Sequence, residues 1–225
     1  MGRRKPTRTR RPRQGRATTP ARERTPGDLF PPGTIIQMLA DSAARAHTLS
    51  LSEGMAHRPS LTGLRAGRII AMAHTRPLYT GEDAENGIAN LSVLASAVDA
   101  DCVLVSWETC DVQIACDMPL LAPDECLNIL VAGEDGEHLH AEFPYISHPL
   151  AAPTRTGLQG FRPQWLTPTQ RTNSPLLRPI QRAVEQSFAQ RAAVAPSGLE
   201  AATVWMRAHG YTVSLLDSRP PASAE

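Results

Sequence analysis

The sequence predicts an α/β fold, with α+β as the alternative: a mixed sheet of about five or six strands, helices packed against it, and a disordered N-terminal arm. Three observations point there. Arg68–His74 is a short, almost continuous apolar run of strand length. Ile88, Leu91, Ala95 and Val98 recur at helical spacing. Asp101–Glu108 is rich in β-branched and aromatic residues. Together they form a β-α-β unit, whose right-handed crossover would set Arg68–His74 parallel to Asp101–Glu108.

The elements follow in chain order. Residues 1–32 hold six prolines and almost nothing apolar before Leu29, so they cannot offset the entropy of ordering and are expected to be a disordered Arg/Pro-rich arm. One domain is expected over 33–217. It opens with a helix from Thr34 to about Leu51, with Ile35, Ile36, Leu39, Ala43, Ala46 and Leu49 on its apolar face and Thr34 as N-cap. Arg65-Ala-Gly is expected to end a loop before the strand at Arg68. Thr80 and Asp83 have capping-box spacing for the crossover helix, which ends near Asp99.

Asp111–Cys116 follows Asp101–Glu108 so closely that a hairpin turning at Glu108–Asp111 is expected, with a single long bent strand as the alternative. A second hairpin joins Leu127–Gly133 to His138–Phe143, because Asp135-Gly136 supplies the positive φ angles of a tight turn. Residues 144–179 form a loop with seven prolines, and Phe161 and Trp165 are expected to pack it back onto the domain. Helices at Leu176–Val194 and Ser197–His209, a last strand at Tyr211–Asp217, either at an edge or inserted into the sheet, and a disordered tail at 218–225 complete the chain.

Charge is segregated beneath a net formal charge of +1. Residues 1–26 carry ten Arg or Lys and one acid, whereas Pro77–Thr154 carry fourteen Asp or Glu and no Arg or Lys; residues 155–225 are basic again. Arg3, Arg4, Lys5, Arg8, Arg10, Arg11, Arg13 and Arg16 could neutralise several phosphates, which predicts salt-dependent, sequence-blind contact with DNA or RNA. No aromatic residue stands among them for base stacking. The acidic stretch equally suits a basic protein partner, or the arm folding back on it. The preference for Arg over Lys fits a GC-rich coding sequence, in which residues 1–37 could be a translated upstream region before Met38.

Several chemistries are made improbable by what the sequence lacks. Lys5 is the one lysine, so there is no Walker A lysine and no Schiff-base lysine. G-x-S-x-G, H-E-x-x-H and G-x-G-x-x-G motifs are absent as well. Cys102, Cys110, Cys116 and Cys126 lack C-x-x-C spacing and are expected to be free thiols in a reducing compartment. No run reaches the ~18–20 apolar residues of a membrane span, and no apolar segment follows the basic N-terminus, so a cytoplasmic protein without membrane contact is expected.

Two clusters could hold a divalent metal. His138, His140 and Glu142 share one face of a strand, with Leu139, Ala141 and Phe143 turned to the core; His74 and His148 could join them. Glu108, Asp111 and Asp117 gather carboxylates at the expected first hairpin, with Gln113 nearby. His47, His57 and His209 stand near helix ends, and no base is assignable by spacing to Cys110 or Ser106 as a nucleophile. The sequence therefore favours a non-enzymatic binding module, without a predicted cofactor, that contacts nucleic acid through its arm. A metal-dependent hydrolase and an acidic protein-interaction domain are the alternatives.

Overall fold

The computed structural model describes residues 29–120, 125–189 and 198–216. The basic arm, the end of the expected helix beyond Ala189 and the expected tail lie outside them. The protein is α+β: helices pack on an eight-stranded open sheet in which every pairing is antiparallel.

The first helix, α1 (Ile35–Ser52), starts where the sequence places it. Thr34 accepts the Gln37 N–H at 3.2 Å, and the Gln37 side chain reaches back to the Gly33 N–H at 2.7 Å, so two otherwise unpaired donors are satisfied. The domain begins earlier than residue 33, however, because Phe30 is buried against α1 and the sheet.

The expected mixed sheet is corrected by a strand that the sequence hid. β1 (Ser60–Arg65) pairs with both β2 (Arg68–His74) and β3 (Cys102–Glu108). β2 and β3 do run in the same direction, but β1 lies between them and is antiparallel to each. Gly63 obscured the strand, since glycine weakens strand propensity. It is there because a Cβ would meet Val98 Cγ2 at 3.1 Å, so its bareness lets the crossover helices approach the sheet. Ala66 and Gly67, with φ of 49° and 70°, make the two-residue turn between β1 and β2.

The crossover is two helices, α2 (Glu82–Ala89) and α3 (Ser92–Ala97). The expected capping box does not form: Asp83 accepts the Tyr79 N–H at 2.9 Å and pairs with Arg76, while Gly81, at φ 74°, precedes the helix without a side-chain cap. The expected first hairpin is also corrected. Thr109–Ala115 is a helix, α4, because the Glu108 carboxylate accepts the Asp111 N–H at 2.6 Å and caps it. The alternation of Val112 and Ile114 imitates a strand, yet Val112 is buried and Ile114 is exposed.

The second hairpin forms as expected, from β4 (Cys126–Gly133) and β5 (His138–Pro149), with Gly136 at φ 84° in its turn. β5 continues into the proline-rich region, where β6 (Phe161–Trp165) and β7 (Thr169–Thr172) pair with it. α5 (Arg178–Ala189), α6 (Gly198–Ala208) and β8 (Thr212–Leu215) follow. The sheet order is β6-β5-β4-β3-β1-β2-β8, with β7 also on β5.

Alternation along the strands builds two cores. Leu61, Val103, Val105, Trp107 and Leu130 face α2, α3, α5 and α6, whereas Leu64, Leu104, Leu127, Ile129 and Phe143 face α1 and Phe30. The helices thus form a layer on each face of the sheet.

One close backbone approach fixes the end of α1. A Cβ on Gly160 would run into the Ser52 carbonyl, and one on Gly54, whose φ is 68°, would lie 2.6 Å from the Gln159 carbonyl oxygen. Gly54→Ala should therefore destabilise the fold by about 1–3 kcal/mol, through left-handed strain and loss of this contact. Urea titration measures it; a midpoint equal to that of the parent would show that the turn yields freely.

Candidate functional site

The two strands of the β1–β2 hairpin separate at its open end because a proline stands at each side. Pro59 precedes β1 and Pro77 follows β2; neither can donate to a ladder. The last rung beyond the strands is the Thr75 N–H on the Pro59 carbonyl at 3.0 Å. Past it, the chains diverge and wall a cavity of about 550 Å³ between the C-terminal half of α1, the 55–59 segment, the 74–78 segment and α4. The His57-Arg58-Pro59 and His74-Thr75-Arg76-Pro77 segments both line it.

The walls are mostly apolar, with Ala46, Met55, Leu78, Val112 and Ala115 among them. The polar groups are few. His57 is buried; its main-chain N–H donates to Asp111 Oδ2 at 2.7 Å, and its ring Nε2 lies 3.4 Å from Ser106 Oγ, which in turn contacts Ser60 Oγ at 2.8 Å. Burial, then the neighbouring His74, lowers the His57 pKa to about 4, so its ring is neutral. His74 is lowered too, first by burial and then by Arg58. The Thr75 hydroxyl is buried and has no hydrogen-bond partner among the described residues.

Arg76 is neutralised by its two-pronged pairing with Asp83. Arg58 is exposed at the cavity and makes no ion pair among the described residues. Asp111 is raised in pKa by burial, against the lowering influence of the His57 N–H.

A smaller cavity of about 260 Å³ shares Met55, Ala56 and Asp111 with the first. Glu108, Glu125 and Tyr145 line it. Glu108 is 2% exposed and accepts N–H groups from Asp111 at 2.6 Å and Cys126 at 3.0 Å, with the Tyr145 hydroxyl at 3.4 Å. Burial outweighs those bonds and lifts its pKa to about 7. Behind it, His47 packs edge-on against His57 and Tyr145, at ring separations of 5.2 and 4.8 Å. Neither His47 ring nitrogen has a hydrogen-bond partner among the described residues, and burial lowers its pKa to about 3.

The residues singled out from the sequence are distributed differently. Glu108 and Asp111 meet at the start of α4, while Asp117 lies past its other end, with φ 52°, beside Gly81. His138, His140 and Glu142 do share a face, and Leu139, Ala141 and Phe143 face the α1 core. The histidine face is covered: His140 is 7% exposed and stacks on Trp107 at 5.3 Å. Its Nε2 meets Asn128 Oδ1 at 2.9 Å and its Nδ1 meets Ser174 Oγ at 3.1 Å, so both nitrogens are engaged. His138 bonds the Ser174 carbonyl at 3.0 Å, and Glu142 holds Thr169 at 2.6 Å and Arg171 at 3.2 Å.

His148 lies apart, against Gln164, and His74 lies on the larger cavity. Among the described residues, no group of three or more His, Cys, Asp or Glu side chains is placed to hold a metal ion. Nor is any helix of the described residues long and apolar enough to cross a membrane. The arm arginines and Lys5 lie outside the described residues. The four thiols are unbridged, and burial raises Cys102 and Cys116 to about 11 and Cys126 to about 12.

The cavity residues Arg58, Thr75 and Arg76 were missed at the sequence level. The available signal was the Arg-Pro pair repeated at both ends of the hairpin, once β1 is recognised. Fold and site together define an α+β protein with an open antiparallel sheet and a largely apolar cavity at a hairpin mouth. Compared with protein-family models, with curated proteins and with solved structures, the chain matches none of them.

The buried ionisable groups give opposing pH dependences. His47 and His57 have lowered pKa values, so the unfolded chain binds more protons between about pH 3 and 6.5, and their contribution is lost as pH falls through that range. Glu108 has a raised value, so the folded chain binds more protons between about pH 4.5 and 7, and stability is lost as pH rises through that window. Subtracting the unfolding free energy of Glu108→Gln from that of the parent, at pH 4.5 and pH 7.5, should show a difference that changes in favour of the variant as pH rises. A pH-independent difference would mean that Glu108 titrates normally.

Proposed function

We propose that this protein is a non-enzymatic binding module whose folded domain takes a small molecule in the cavity at the mouth of the β1–β2 hairpin. The observation that carries this reading is the cavity itself: about 550 Å³, mostly apolar, with a few polar groups drawn from four separate segments. That size and lining are what a small organic ligand needs for burial and orientation.

The chemistry around the cavity supports binding over catalysis. Ser106 touches His57 but is itself 1% exposed, which leaves its hydroxyl away from any substrate. The Asp111 contact is to the His57 main chain and not to its ring, so it does not polarise the imidazole as a catalytic carboxylate would. Glu108 is occupied as a helix cap. A fragment library screened by protein-observed NMR should give hits whose shifts cluster on His57, Thr75 and Val112. Ala46→Trp, an exposed helix position that opens onto the cavity, should abolish them while leaving the melting temperature within a few degrees of the parent. Hits scattered over the surface and insensitive to Ala46→Trp would remove the proposal.

The arm supports a second, separate contact. Ten basic residues within the first 26 favour phosphate neutralisation. Deleting residues 1–28 should eliminate retention on immobilised DNA and RNA at low salt, and the intact protein should elute progressively as salt rises. Equal retention with and without the arm would remove it from the function.

A further inference from the structure

Two charged side chains line the larger cavity without meeting each other. Arg58 stands beside His74, and Asp111 rises from α4 beneath His57. The cavity's other cation, Arg76, is already compensated by Asp83. His57 and His74 are neutral at ordinary pH, so they do not compensate Asp111. Asp111 Oδ2 accepts the His57 N–H, and among the described residues its second oxygen has no hydrogen-bond donor and its charge is compensated by no cation.

Resting on the ligand-binding reading above, we infer that the cavity's ligand is an apolar zwitterion, a hydrophobic amino acid or short peptide, with its carboxylate on Arg58, its ammonium on Asp111 and its side chain against Val112 and Ala115.

The physical case rests on matching. A molecule with only an acid would leave the half-buried Asp111 uncompensated, and a molecule with only an amine would leave Arg58 unused. A fully apolar molecule would take water from the Asp111 carboxylate without replacing its hydrogen bonds. A zwitterion answers both charges at once, and a charged hydrogen bond at each end adds specificity. Burial raises the Asp111 pKa, so binding of an ammonium should lower it again and hold Asp111 ionised.

Calorimetric titration of the full chain at pH 7.5 tests this with defined probes: L-phenylalanine and L-leucyl-L-leucine as zwitterions of different charge separation, 3-phenylpropionate as the acid alone, and phenethylamine as the amine alone. At least one zwitterion should bind about tenfold more tightly than either single-charge probe. Arg58→Gln should remove its advantage over the amine, and Asp111→Asn its advantage over the acid. The asparagine still accepts the His57 N–H, so the fold is retained, and an unchanged melting temperature verifies it.

Equal affinity for all four probes, or a zwitterion affinity insensitive to both substitutions, overturns the inference. If no probe binds while NMR fragments still occupy the cavity, the ligand class is wrong and the binding reading stands. If neither probes nor fragments occupy it, both fall.

Discussion

The carboxylate of Glu108 is where four pieces of the fold are tied. It ends β3, caps α4 through the Asp111 N–H, receives the N–H of the first residue of β4 and meets the Tyr145 hydroxyl on β5. An acceptor with several lone pairs can satisfy these donors together, which an apolar residue could not do. Its placement turns the chain after β3 into a helix and thereby puts Asp111 under the His57 main chain. The cavity wall formed by α4 depends on that turn. Removing the carboxylate would leave buried backbone donors unpaired, each at a cost of about 1–3 kcal/mol.

This dependence explains what the sequence could and could not disclose. α1, the β4–β5 hairpin, α6 and the presence of the last strand, though not its place at the edge, were legible because local signals suffice for them: the Thr34 cap, the Asp135-Gly136 turn, helical spacing, and Gly210 after α6 with φ 85°. β1 was not legible, because Gly63 is selected by its contact with α3 and not by strand propensity. α4 imitates a strand in the sequence because Asp111–Cys116 alternates, and the deciding cap reaches it from a buried side chain of the preceding strand. The face-sharing of His138, His140 and Glu142 was legible from period two. Their coverage by Trp107, Ser174 and Arg171 comes from tertiary packing and could not be seen. Of the candidate site, the sequence marks out His57, Asp111 and His74 only singly, because their assembly needs β1 in place.

The charge pattern finds a structural use. Asp99, Asp83, Glu85 and Glu142 from the acidic stretch pair with Arg65, Arg76, Arg178, Arg182 and Arg171 from the basic segments on either side of it. Most of these pairs are partly exposed, so each contributes modestly, roughly 0–1 kcal/mol. Their collective effect is to bring the flanks of the chain against its middle, which limits the carboxylate charge available to an outside partner.

The position of β8 has a consequence for synthesis. β2 pairs with β1 on one side, and its other edge is covered by residues 212–215, near the far end of the chain. During translation, β1, β2 and β3 can assemble long before that cover emerges from the ribosome. The nascent chain therefore carries an open apolar strand until residues 212–215 have been made, a period in which edge-to-edge association with neighbouring chains competes with closure of the sheet. The last strand, though short, closes that interval.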